Sequence, residues 1–341
     1  MEGADVYARL AEKVTFPKSR FIPMIFRKLV TPEEGEMLLA LPMTPAEFAV
    51  KFGMDERAAA GRLDEFARKG VAIPFEKGGI LRYLCVSNII QVHDATIHGA
   101  LNKRYEPVQS EIVEMWRQFR ETEWFEVLRD LEAKGPRGRG IPSWSTVKDH
   151  PDLMACENLR TILKDAPAIA VVDCPCRWLE VQSDICDKPT FVCLSLTPGS
   201  VKYILDCGIG KKLTLEEGYA ILDQCEQAGL VPTTGVGDKV RQLCFCETEY
   251  CIMLRPQVKY GYRIWGPSRF AATVDADLCT GCGTCVKRCL FHAISLEESS
   301  PEESLAGVDR SRCFGCGVCA VTCPTGALRM ELVRPASHIT G

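Results

Sequence analysis

Ala276-Asp-Leu-Cys-Thr-Gly-Cys-Gly-Thr-Cys-Val-Lys-Arg-Cys289 and Arg310-Ser-Arg-Cys-Phe-Gly-Cys-Gly-Val-Cys-Ala-Val-Thr-Cys323 are two copies of one pattern, C-x2-C-x2-C-x3-C. A Val-Asp pair precedes each copy (Val274-Asp275, Val308-Asp309), and a helical turn with a small residue follows (Ala293, Ala327). An iron–sulfur cubane has tetrahedral corners, so one loop can wrap three of them and the fourth ligand must come from elsewhere. In this spacing the fourth cysteine of each run serves the other cluster. The pattern therefore predicts one 4Fe-4S cluster on Cys279, Cys282, Cys285 and Cys323, and a second on Cys313, Cys316, Cys319 and Cys289. Gly281, Gly283, Gly315 and Gly317 lie between ligands, where backbone N–H groups approach sulfide and φ can turn positive. Paired C-x2-C knuckles also hold zinc, but zinc sites do not ask for this eight-cysteine order. Between the copies, the acidic run Glu297-Glu298-Ser299-Ser300-Pro301-Glu302-Glu303 reads as a solvated loop.

The chain has 341 residues and nineteen cysteines, eight of them in these two runs. Seven more form two short groups: Cys174, Cys176, Cys186 and Cys193, then Cys244, Cys246 and Cys251. Clustering of this kind points to metal ligation rather than scattered packing. Pro175 stiffens the first C-x-C pair, so both thiols leave a strand end together. These seven predict at least one further iron–sulfur cluster that uses a subset of them and draws on both segments. A larger non-cubane centre and redox-active dithiols stay open as readings. Cys85, Cys156 and Cys225 stand alone in helical or strand patterns and read as small core hydrophobes.

The rest of the chain predicts an α+β multidomain protein: residues 1–110, a cysteine-rich α/β region 111–269, and the cysteine repeat at 270–341. Thr31-Pro32-Glu33-Glu34 and Thr44-Pro45-Ala46-Glu47 are capping boxes with proline at the first helical position, and Asp55 is a third N-cap. Ala59, Leu63, Phe66 and Ala67 share one helical face, after which Val71–Pro74, Gly78-Gly79 and Ile80–Val86 read as a hairpin. Ser110–Ala133 is helix-like. Gly135-Pro136-Arg137-Gly138-Arg139-Gly140 reads as a linker with a solvated basic pair. Ala168–Asp173 reads as a buried strand running into Cys174. Thr214 caps a helix that ends near Ala228 with Gly229 as its C-cap.

A hydrophobic share of 46% and a formal net charge of -4 describe an ordinary globular chain with no basic field for nucleic acid. Met1 to Arg20 lack the apolar core of a secretory signal, and no apolar run approaches ~18 residues. A cytoplasmic protein with reduced thiols is expected.

Over about 60 residues the repeat closely resembles the bacterial-type ferredoxin domain with two 4Fe-4S clusters. Pro324 completes that signature, while Leu290 stands in its place in the first copy. Two short helices, a longer helix and a hairpin in the N-terminal region resemble a winged helix-turn-helix. Its would-be recognition helix, Asp55 to Lys69, carries charges that sum to zero. The whole chain resembles iron–sulfur proteins of anaerobes that join a winged-helix-like N-terminus, a C-x-C-R segment, a second cysteine-rich stretch and a two-cluster ferredoxin. Here Glu247, Glu249 and Tyr250 stand where some of the adjacent cysteines of that group would be. The resemblance implies an electron-transfer subunit or adaptor that serves a partner oxidoreductase, its catalytic subunit above all, with nucleic acid not expected as a partner.

Two other functions fit the residues. One is a stand-alone reductase with substrate at the middle cluster and Arg177 holding an anion. The other is a redox-responsive regulator acting through the winged helix. No Walker A loop, no G-x-G-x-x-G after a strand and no C-x3-C-x2-C triplet is present.

Overall fold

A computed structural model describes residues 5–102, 108–181, 186–300 and 303–339. The chain is of the α+β class and divides into two compact units: Met1–Val127 with Lys202–Lys211, and Leu128–Val201 with Lys212–Gly341.

The first unit is mainly helical. Its helices Pro32–Leu39 and Pro45–Phe52 begin where the capping Thr-Pro pairs predict, and both capping boxes close. Asp55 caps the helix Glu56–Arg68, whose Ala59, Leu63, Phe66 and Ala67 are buried. Strands Ala72–Lys77 and Ile80–Cys85 pair antiparallel, with Met43 bridged to Tyr83 beside them. The stretch read as one helix over 110–133 is two, Gln109–Thr122 and Trp124–Glu132, broken at Glu123. The Glu123 carboxylate accepts from the Arg20 backbone N–H and from the Ser19 hydroxyl, so the break is fixed by a tertiary contact.

The second unit is built on a sheet. In spatial order its strands are Ala170–Asp173, Phe191–Ser195, Gln242–Cys246, Val231–Gly235, Gly138–Gly140 and Trp265–Gly266. The run from Ala170–Asp173 to Gly138–Gly140 is antiparallel throughout, and Gly138–Gly140 pairs parallel with Trp265–Gly266. One face packs Val171, Val192, Leu194, Leu243 and Phe245 with Leu222 and Cys225 of the helix Leu215–Ala228. That helix has the expected Thr214 capping box and left-handed Gly229.

Two expectations are corrected. Gly138–Gly140, read as part of a solvated linker, is an interior strand, and Arg139 is 5% exposed. A Cβ on Gly138 would lie 2.0 Å from the Trp265 ring, and one on Gly140 would lie 2.6 Å from the Phe314 ring. Here glycine admits neighbouring aromatics rather than loosening the chain. The guanidinium of Arg139 donates to the carbonyls of Gly237 and Cys156 at 3.2 and 2.9 Å. The acidic run, read as a loop, lies largely in strands Ile294–Ser300 and Glu303–Val308; residues 301–302 fall outside the described chain. Ile294, Ala306 and Val308 turn inward onto a core with Phe270, Leu328 and Met330, so the hairpin is held by its apolar face.

Candidate iron–sulfur centre

The C-terminal repeat folds into two strand pairs, Phe270–Val274 with Leu328–Leu332 and Ile294–Ser300 with Glu303–Val308. Two hollows open among its cysteine loops. One, of about 350 Å³, is lined by Cys279, Cys282, Cys285 and Cys323. The other, of about 320 Å³, is lined by Cys289, Cys313, Cys316 and Cys319. The fourth cysteine of each run thus crosses into the other run's hollow. Gly281, Gly283, Gly315 and Gly317 all have positive φ, between 63° and 74°. Side chains are excluded at two of them: a Cβ on Gly281 would meet the Ser304 carbonyl oxygen at 2.1 Å, and one on Gly315 the Phe270 carbonyl oxygen at 2.0 Å.

Backbone N–H groups already face the sulfurs. Ala293 donates to Cys289 Sγ at 3.3 Å, and Ala272 and Ala306 donate to Cys313 and Cys279 Sγ at 3.5 Å. Such donors stabilise thiolate and, with it, a bound cluster. Four convergent thiols, N–H donors and left-handed glycines fit a cubane in each hollow. The hollows differ in setting. Cys282 is exposed, and hydrogen bonding with Thr284 holds its thiol below the usual range. Desolvation pushes Cys316 up to about 12 and raises Cys319 as well.

The second hollow is braced by the sheet. Ser143 N–H donates to the Cys316 carbonyl at 2.8 Å, and Ser268 Oγ donates to the Gly315 carbonyl at 2.6 Å. Phe314, lying over Gly140, stacks on Phe291 with centroids 4.5 Å apart. Arg288 donates to the carbonyls of Gln227 and Glu226 at 2.8 Å, closing the C-terminal end of the helix Leu215–Ala228. None of these bracing residues carries a sequence signal, because each acts through a backbone carbonyl or a missing side chain.

The second cysteine group is also brought together. Alternation along strands Phe191–Ser195 and Gln242–Cys246 sends Leu194, Leu243 and Phe245 into the core, and Cys193, Cys244 and Cys246 to the opposite face. Cys174 follows strand Ala170–Asp173, and Cys176 sits in the first turn of the helix Pro175–Val181. Their thiols are electrostatic neighbours in sequence around a ring: Cys174 beside Cys176 and Cys193, Cys193 beside Cys244, Cys244 beside Cys246, Cys246 beside Cys251, and Cys251 beside Cys176. Two thiol neighbours hold each of Cys174 and Cys244 low, Cys244 at about 6, while Cys176, Cys193 and Cys246 are pushed up. Cys186 is half-buried, and none of these thiol contacts involves it.

Arg177, considered as an anion holder, is buried to 1% exposure. Its guanidinium donates to the Phe245 carbonyl at 2.6 Å and to the Pro189 carbonyl at 2.8 and 3.1 Å. It cannot reach a substrate from there. Cys85, Cys156 and Cys225 are buried as core residues.

Residues 278–327 match the family model described as a 4Fe-4S dicluster domain. Comparison with curated proteins and with solved structures found no match. Among the described residues, no helix is long and apolar enough to cross a membrane.

Proposed function

We propose that this chain relays single low-potential electrons between a donor and a partner oxidoreductase. Cys279, Cys282, Cys285 and Cys323 hold one 4Fe-4S cluster, and Cys313, Cys316, Cys319 and Cys289 hold the other. The observation that carries the reading is the exchange of Cys289 and Cys323 between the two hollows. Each cluster, when bound, cycles between two oxidation levels one electron apart. The protein's part is to hold the clusters side by side, set their potentials through N–H donors and burial, and limit exchange with water. Exposed Cys282 marks the cluster closer to solvent, where a partner can approach. The braced hollow is the inner relay.

A further metal centre in the middle region belongs to the same reading. The winged-helix-like part, with Pro45–Phe52, Glu56–Arg68 and the hairpin, serves as a scaffold for protein contacts. Two of the four cations on its would-be DNA-reading helix are taken up by carboxylates: Arg62 pairs with Glu34 and Glu65, and Lys69 pairs with the same two. The reductase alternative loses its anion binder with the burial of Arg177.

The test is anaerobic purification, then EPR on full reduction. Two spin-coupled S = 1/2 centres are expected, reduced to one in a variant with Cys282→Ala and Cys285→Ala. Signals from isolated, uncoupled clusters, or zinc in place of iron, would refute the proposal.

A further inference from the structure

The six-thiol ring demands an occupant of its own. Its members come from strands Phe191–Ser195 and Gln242–Cys246, from the strand end and helical turn after Asp173, and from one loop; Cys174, Cys246 and Cys251 are buried. The strand register sets Cys193 beside Cys244, and each thiol has two others as neighbours, so no subset of four stands apart. A second, independent observation is Arg177. Its hydrogen bonds end on neutral carbonyls, and the titratable groups it faces are the thiols Cys174, Cys193, Cys246 and Cys225. A buried guanidinium is costly unless a compensating negative charge lies close by. Ligated thiolates around an anionic core supply that charge.

We propose that Cys174, Cys176, Cys193, Cys244, Cys246 and Cys251 together ligate one iron–sulfur core larger than a cubane, and that Cys186 is not a ligand. The number of thiols selects the nuclearity. One cubane has four corners and would strand two thiols inside the ring. Two separate cubanes have eight corners, more than the seven cysteines of this region. Two four-iron units joined at one corner through a shared sulfide leave three free corners each, six in all. This deepens the electron-transfer reading and rests on it only for the use to which the core is put.

The ring also lies against the ferredoxin loops. Thr248, between Cys246 and Cys251, donates its hydroxyl to the Leu290 carbonyl at 3.2 Å, one residue from Cys289. A solvent-open cleft lined by Glu247, Thr248, Tyr250, Cys289, Leu290 and His292 runs alongside that bond. The core is thereby joined by one hydrogen bond to a ligand loop of the inner ferredoxin cluster, as the third centre of the relay.

The test uses the full chain purified anaerobically, with iron, acid-labile sulfide and zinc measured per polypeptide. About sixteen irons are expected, eight from the ferredoxin repeat and eight from the ring. In the Cys282→Ala, Cys285→Ala variant about twelve should remain, with the ring's share intact, so failure of the ferredoxin reading and failure of this one give different counts. Cys244→Ser should roughly halve the wild-type iron while leaving the ferredoxin EPR signals in place. Since that variant could fail to fold, the wild type is also alkylated in its native, loaded state and mapped by mass spectrometry. Cys186 should be labelled and the six ring cysteines protected. Twelve or eight irons in the wild type, zinc at the ring, or protection of Cys186 with labelling of any ring member would each overturn the proposal.

Discussion

Arg269→Gln should destabilise the second unit more than any single change on its surface. Arg269 and Glu157 form an ion pair at 2.8 Å with side chains 4% and 0% exposed. The other Glu157 oxygen, Oε1, is buried without a hydrogen-bond partner, so the carboxylate depends on Arg269 and on the Met154 N–H at 3.3 Å. Removing the cation leaves an uncompensated buried charge, which costs about 3–5 kcal/mol. For a unit of this size, each kcal/mol lowers Tm by about 2–4 °C, which gives a loss of about 6–20 °C. Glu157→Gln should cost less. Arg269 keeps its bonds to the carbonyls of Asp152 and Arg334, at 3.2 and 3.3 Å, and an amide can still accept from Met154. The double variant Glu157→Met, Arg269→Met should lie nearer wild type than Arg269→Gln, because it leaves no charge behind. The assay is anaerobic thermal unfolding followed by far-UV circular dichroism and by bleaching of cluster absorbance. Arg269 immediately precedes strand Phe270–Val274, so both signals should shift together. A Tm within about 2 °C of wild type for Arg269→Gln, or a double variant worse than the two single losses combined, would refute the reasoning.

Other changes separate packing from ligation. Gly140→Val should cost about 1–3 kcal/mol and speed iron loss in a chelator assay, because its side chain would drive Phe314 off Phe291 beside the inner hollow. Gly199→Ala, where a Cβ meets nothing within 4 Å, should leave iron retention unchanged. Gly281→Ala and Gly315→Ala should each remove about four irons from the total on reconstitution, since both combine positive φ with a backbone oxygen in the way. At Gly326, also at positive φ but with open space around it, alanine should cost only about 1 kcal/mol and keep full iron. Thr44→Ala breaks the capping box of Pro45–Phe52 and should lower the stability of the first unit by about 0.5–2 kcal/mol, with iron content unaltered.

What was legible in the sequence is what local chemistry decides. The Thr-Pro boxes, the Gly229 cap and the repeated cysteine loops with their four left-handed glycines each act within a few residues of themselves, so their positions follow from spacing. Gly138–Gly140 shows the opposite case. Its composition is that of a turn, and only the Trp265 and Phe314 rings lying over it make glycine a requirement of an interior strand. The acidic hairpin misled for a related reason: the run is read by its charges, while Ile294, Ala306 and Val308, which flank it, hold the inner face. The middle cysteines lie between these extremes. C-x-C spacing states that two thiols share a face if the segment is a strand, and the sheet supplies that condition for Cys244 and Cys246. It does not state which strands are neighbours. Register sets Cys193 beside Cys244, and the turn after Asp173 brings Cys174 and Cys176 to the same edge. Cys186, equally close in sequence, lacks that placement. Membership of the ring is therefore decided by strand order, a property of the whole sheet, and proximity along the chain is a poor guide to which thiols act together.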